Sequence, residues 1–119
     1  MIRDLIKPVI HLDNIILSKK ITEFSKQIEK FSKTIILFGS ANKNNMKPTS
    51  DIDIAVISDK NIESHVDKIK TSFLKKDSVI FSVHIYRTRD FKKNYETNDP
   101  LVKDIANGKI LYGNIDDII

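Results

Sequence analysis

Residues 37–57 read LFGSANKNNMKPTSDIDIAVI, and the two ends of that stretch constrain each other. An apolar run ends in a Gly39-Ser40 turn. Eleven residues after Ser40 come Asp51 and Asp53, spaced by two inside a second apolar run. A strand alternates its side chains between two faces. If Ile52 and Ile54 point into a core, Asp51 and Asp53 point together at the opposite face. Two carboxylates a few Å apart on a rigid element repel unless a cation sits between them or one takes up a proton. Taken singly, Gly-Ser is a common turn and Asp-x-Asp a solvated strand face. Taken together, with a strand on each side and a polar loop of ten residues between, they describe a place for a metal-bound phosphate.

The totals narrow the field. A chain of 119 residues, 40% hydrophobic and 30% charged, has enough length for one modest core. One domain over residues 1–119 is expected, with a lead-in over 1–17 and a core over about 21–113. The formal net charge of +4 favours anionic partners, but the lysines are spread through the chain and no nucleic-acid patch is indicated. There are no cysteines, which excludes disulfides, thiolate metal sites and cysteine nucleophiles. No stretch approaches the roughly 18 apolar residues of a membrane span. Arg3, Asp4 and Lys7 interrupt the N-terminal segment, unlike the run of a signal peptide. A cytosolic protein without membrane partners is expected.

Along the chain, Pro8 breaks the lead-in. Asp13 or Ser18 is placed to cap a helix running to about Ser32, with Leu17, Ile21, Phe24, Ile28 and Phe31 as one apolar stripe. Thr34–Phe38 reads as a buried strand, 41–50 as a polar loop and 51–57 as a second strand. Ser58 or Asn61 would cap a helix carrying Ile62, Val66, Ile69 and Phe73, and Lys75-Lys76-Asp77 would turn the chain. Residues 78–86 read as a strand, with Val79, Phe81, Val83 and Ile85 on one face and Ile80, Ser82, His84 and Tyr86 on the other. Thr88 is placed as an N-cap, and Asp99-Pro100 opens a last helix that ends at Asn107-Gly108. Ile110-Leu111-Tyr112 is a short apolar segment, and Asp116-Asp117 a frayed acidic tail. This order predicts an α+β fold in two layers: a small mixed sheet covered by helices on one face, with the other left for chemistry.

The chemistry follows from residue types. Gly39 lets backbone approach a ligand without a Cβ in the way. The Ser40 hydroxyl and neighbouring N–H groups are donors for phosphate oxygens. Asp51 and Asp53 suit Mg²⁺ (or Mn²⁺) bridging nucleotide phosphates, and Ser50 is placed to cap the loop or reach a phosphate. His11 and His65 have no partner at metal-ligand spacing and read as solvent-facing. Tyr86, Arg87 and Arg89 follow the third strand and read as a solvated loop, with stacking on a base as the alternative.

At Gly39-Ser40 and Ser50-Asp51-Ile52-Asp53 the chain resembles the minimal nucleotidyltransferases of the DNA polymerase β-like superfamily. The likeness extends to the closing segment PLVKDIANGKILYG. The resemblance implies that fold, and transfer of a nucleoside monophosphate from an NTP, ATP first, to a hydroxyl. It makes Asp51 and Asp53 the catalytic, metal-holding carboxylates, and Gly39, Ser40, Lys43 and Ser50 the nucleotide-binding residues. It also implies a role as the antitoxin of a toxin–antitoxin pair with a helical HEPN-type toxin. Two departures stand out. Lys43-Asn44 replaces the usual Arg-Gly of the loop, keeping the charge but not the bidentate fork. The third strand carries no Asp or Glu where active members place a third carboxylate, leaving Ser82 and His84 as substitutes. Two readings follow: an enzyme, or an inactive module of the same fold that binds a partner protein.

Overall fold

The stripe of Leu17, Ile21, Phe24 and Ile28 becomes helix α1 (residues 16–28), which tightens into a 3-10 turn at Glu29–Phe31. The computed structural model describes residues 16–39 and 51–119. After α1 come strands β1 (Thr34–Phe38) and β2 (Ile52–Ile57), helix α2 (Glu63–Asp77), strand β3 (Phe81–Tyr86), helices α3 (Thr88–Glu96) and α4 (Pro100–Ala106), and strand β4 (Lys109–Tyr112). A second 3-10 turn, Ile115–Asp117, follows. The sheet order is β3-β2-β1-β4. β1 runs antiparallel to both β2 and β4, whereas β3 runs parallel to β2, so the sheet is mixed.

Alternation divides the sheet between two apolar clusters. Ile35 and Leu37 of β1, Ile52, Ile54 and Val56 of β2 and Phe81 of β3 meet α1 and α2 in the larger core. Phe24 of α1 stacks on Phe81 at 4.1 Å between ring centroids, and Phe73 of α2 sets its edge against both. Ile36, Phe38, Ala55 and Ile57 face the other way, onto Phe91 of α3 and Val102 and Ile105 of α4. Helices therefore pack on both faces, and among the described residues the second face is free only at one end, where β1 finishes and β2 begins.

Element boundaries differ from the sequence expectation where capping decides them. Lys75, Lys76 and Asp77 belong to the last turn of α2, not to a turn after it. Ser78 then takes the left-handed conformation (φ 55°), its N–H bonding back to Leu74 and that of Val79 to Phe73. This helix end consumes residues 78–80, so β3 starts at Phe81. Neither Ser58 nor Asn61 caps α2; its N-cap is Ile62, and the Ser58 hydroxyl donates to the Phe31 carbonyl instead. Thr88 is the first residue of α3, with Arg87 as N-cap. Its N–H and hydroxyl both donate to the Asp59 carboxylate, at 3.0 and 2.9 Å. Asp99 does cap α4, accepting from Leu101 and Val102. The segment Ile110-Leu111-Tyr112 is a strand, and the acidic tail is anchored by Ile118, which is buried in the second cluster.

Candidate functional site

β1 delivers Phe38 opposite Asp53 in the antiparallel register, and the chain turns at the next residue, Gly39. Gly39 has φ +72°, a backbone state that side chains disfavour. A Cβ built there would lie 2.5 Å from Asp53 Oδ2. The turn thus closes against the carboxylate, and only glycine leaves room for both. Ile52 and Ile54 are fully buried on the core face. Their burial turns Asp51 and Asp53 to the opposite face, as the alternation predicts. Asp51 is exposed and Asp53 half-buried.

The electrostatics concentrate negative charge at this point. Burial pushes the Asp53 carboxyl above its ordinary value; His84 pulls it down, and Asp51 and Asp104 push it further up. The parallel register sets Ser82 beside Asp53 and His84 beside Ala55, on the same sheet face. The imidazole packs edge-to-face on Phe38, 5.4 Å between centroids. Both third-strand substitutes therefore stand with the aspartates. Ser40, Lys43 and Ser50 lie outside the described residues.

Asp104 is a site neighbour that sequence reasoning passed over. It sits on α4 between Val102 and Ile105, whose side chains anchor that helix on the site face of the sheet. Its proximity to Asp53 depends on β4 pairing with β1, Lys109 beside Leu37, which draws the end of α4 to the end of β1. The available signal was the Asp104-Ile105 pair at a helix edge next to an apolar closing segment. Tyr86 and Arg87 sit at the far end of the sheet: Tyr86 pairs with Ile57, four residues or about 13 Å along from the Asp53–Ser82 pair. The Arg87 guanidinium donates to the Asp59 carbonyl there, which removes it from any contact with a base at the site. His65 is exposed, with its ring against Phe31, and His11 lies outside the described residues.

Among the described residues no three His, Asp or Glu side chains are grouped so as to hold a metal ion. Two carboxylates on one face still fit a hard cation such as Mg²⁺, which is commonly held by one or two carboxylates plus substrate phosphates. The mutual repulsion felt at Asp53 is the feature a cation would relieve. No helix among the described residues is long and apolar enough to cross a membrane.

No curated protein sequence matches this chain. Solved structures that share its fold include two of toxin–antitoxins. One is a toxin–antitoxin crystal structure with AMP-PNP: TM-score 0.55 and 19% identity, over 83% of this chain and 75% of that one. The other is a mutant of the toxin–antitoxin MntA-HpeT in which two aspartates spaced by two are replaced by glutamate: TM-score 0.54 and 17% identity, with the same coverage. The profile of the nucleotidyltransferase domain matches residues 18–112. With most of its length under that profile, the chain belongs to the nucleotidyltransferase domain family.

Proposed function

We propose that this chain, as a single domain in the cytosol, transfers a nucleoside monophosphate from an NTP to a hydroxyl on a partner protein. Family membership supports a transferase of nucleotidyl groups. The observation that carries the finer reading is the closure of Gly39 on Asp53, with Asp51 on the same face. Asp51 and Asp53 hold Mg²⁺ (or Mn²⁺), and Gly39, Ser40, Lys43 and Ser50 hold the nucleotide phosphates. A cation held there would supply charge neutralisation to the phosphates. The carboxylates fix where that charge sits, and the Gly39 backbone leaves the approach open. The neighbour solved with AMP-PNP supports ATP as the nucleotide. The two toxin–antitoxin neighbours support a role in a toxin–antitoxin pair; in the reading proposed here the chain is the antitoxin and a helical HEPN-type toxin carries the acceptor hydroxyl.

The absence of Asp and Glu from β3 favours a second reading, an inactive module of this fold that binds its partner, with or without nucleotide, and does no chemistry. Isothermal titration with ATP, with Mg²⁺ and with chelator, tests the shared premise. We expect Mg²⁺-dependent binding that disappears in Asp51→Asn/Asp53→Asn while circular dichroism stays unchanged. Equal binding by the double variant would overturn the assignment of the site. Labelling of a co-purified partner by ATP separates the enzyme from the module.

A further inference from the structure

β3 is described along its whole length and offers no carboxylate, so whatever deprotonates an acceptor hydroxyl comes from another group. Ser82 stands opposite Asp53, but a hydroxyl is far too weak a base at neutral pH. His84 stands one same-face step further along, beside Ala55, whose single methyl adds little bulk on that face of β2. Phe38 belongs to β1 and His84 to β3, two strand spacings or roughly 10 Å apart. Their rings nevertheless meet at 5.4 Å and 64°. Both side chains must lean inward over β2, and Phe38 is the register partner of Asp53. The imidazole thereby leans from its own strand over β2, on the sheet face that carries Asp53. The charge interaction between His84 and Asp53 agrees with that placement. Among the described residues neither ring nitrogen makes a hydrogen bond, and neither is buried without a partner.

We infer that His84 is the general base of this chain, an imidazole on β3 doing the work for which other members use a third carboxylate. The inference rests on the nucleotidyltransferase reading and deepens it. In the step, the acceptor O–H proton passes to an imidazole nitrogen. The acceptor oxygen bonds to the α-phosphorus of the NTP, the bond from that phosphorus to the bridging oxygen breaks, and pyrophosphate leaves. Phe38 acts as a positioning residue, holding the ring over β2. An imidazole suits the task because a neutral ring carries one nitrogen lone pair that can accept the proton within hydrogen-bond reach.

The test uses the full chain with Mg²⁺ and ATP, with water and N-acetyltyrosinamide as hydroxyl probes and pyrophosphate release as readout. His84→Ala is expected to lower kcat about 10²–10⁴-fold while ATP affinity by titration stays at the wild-type level. Added imidazole should restore part of the rate in His84→Ala, and His84→Asp, which supplies a carboxylate, should exceed His84→Gln. Wild-type turnover in His84→Gln overturns the inference. So does a loss of ATP affinity that accounts for the whole rate loss, because His84 would then be a binding or structural residue. A wild type that binds Mg²⁺-ATP but releases no pyrophosphate with either probe overturns it too and favours the inactive module. A wild type that binds no NTP overturns the nucleotidyltransferase reading itself.

Discussion

Gly39 and Asp53 form a pair in which backbone conformation and charge are coupled. Gly39→Ala would force an L residue into φ +72° and drive its Cβ into the Asp53 carboxylate. We expect a loss of about 1–2 kcal/mol from the backbone state alone, read from urea unfolding, and a weaker Mg²⁺-dependent ATP affinity in the same variant. Asp53 shows the opposite trade. Its raised carboxyl means that ionisation disfavours the fold, so the native state gains stability as pH falls through the folded value and loses it above. Asp53→Asn removes that cost. The metal-free variant should therefore melt higher than wild type at pH 7, with the gap closing toward acid pH. A lower melting point at pH 7 would show that the carboxylate is held by stabilising partners.

At the scale of elements, β2 is the member on which the others are organised. Its start carries Asp53, and just past its end Asp59 reaches across to α3. The Lys33 ammonium, 2.9 Å away, and the two Thr88 donors hold the Asp59 carboxyl down to about 2, below its ordinary 3.8. A depressed folded value contributes stability above the unfolded pKa, and that contribution is lost as pH falls from about 4 toward 2. Asp59 is exposed, so screening limits the effect to about 1 kcal/mol or less. The acid limb of a stability–pH curve should lose this step in Asp59→Asn and shrink in high salt. Much of this level was legible in the sequence. The stripe of α1, the runs of β1 and β2, the alternation of β3 and the Asp99 cap each follow from local rules. What escaped was decided by partners far along the chain. Thr88 takes its cap from Asp59, a residue 29 positions away. Ile110–Tyr112 is a strand because β1 offers an edge, and Asp104 joins the site only through that pairing. His84 and Ser82 were identifiable from alternation, whereas the lean of the His84 ring over β2 needed Phe38 from another strand.

Over the whole molecule, the two apolar clusters divide the labour. One holds the sheet to α1 and α2, while the other seats α3, α4 and Ile118 and stops short of the aspartates. Among the described residues, the site is thus an uncovered end of an otherwise double-sided sheet. Its open end is set by where α4 stops, at Asn107, and by Gly108, whose hypothetical Cβ would press on the Leu37 carbonyl at 2.5 Å.

β4 is short and largely exposed, yet among the described residues it is the only cover for one side of β1. Every residue of β1 is buried and four of its five are apolar, so without Lys109 beside Leu37 the chain presents a largely apolar strand with one edge unpaired. A chain ended after Asn107 should keep Asp51, Asp53 and His84 but sediment as oligomers, driven by pairing along β1. Four residues that touch no substrate then decide whether the product of translation is a monomer or a nucleus for self-association.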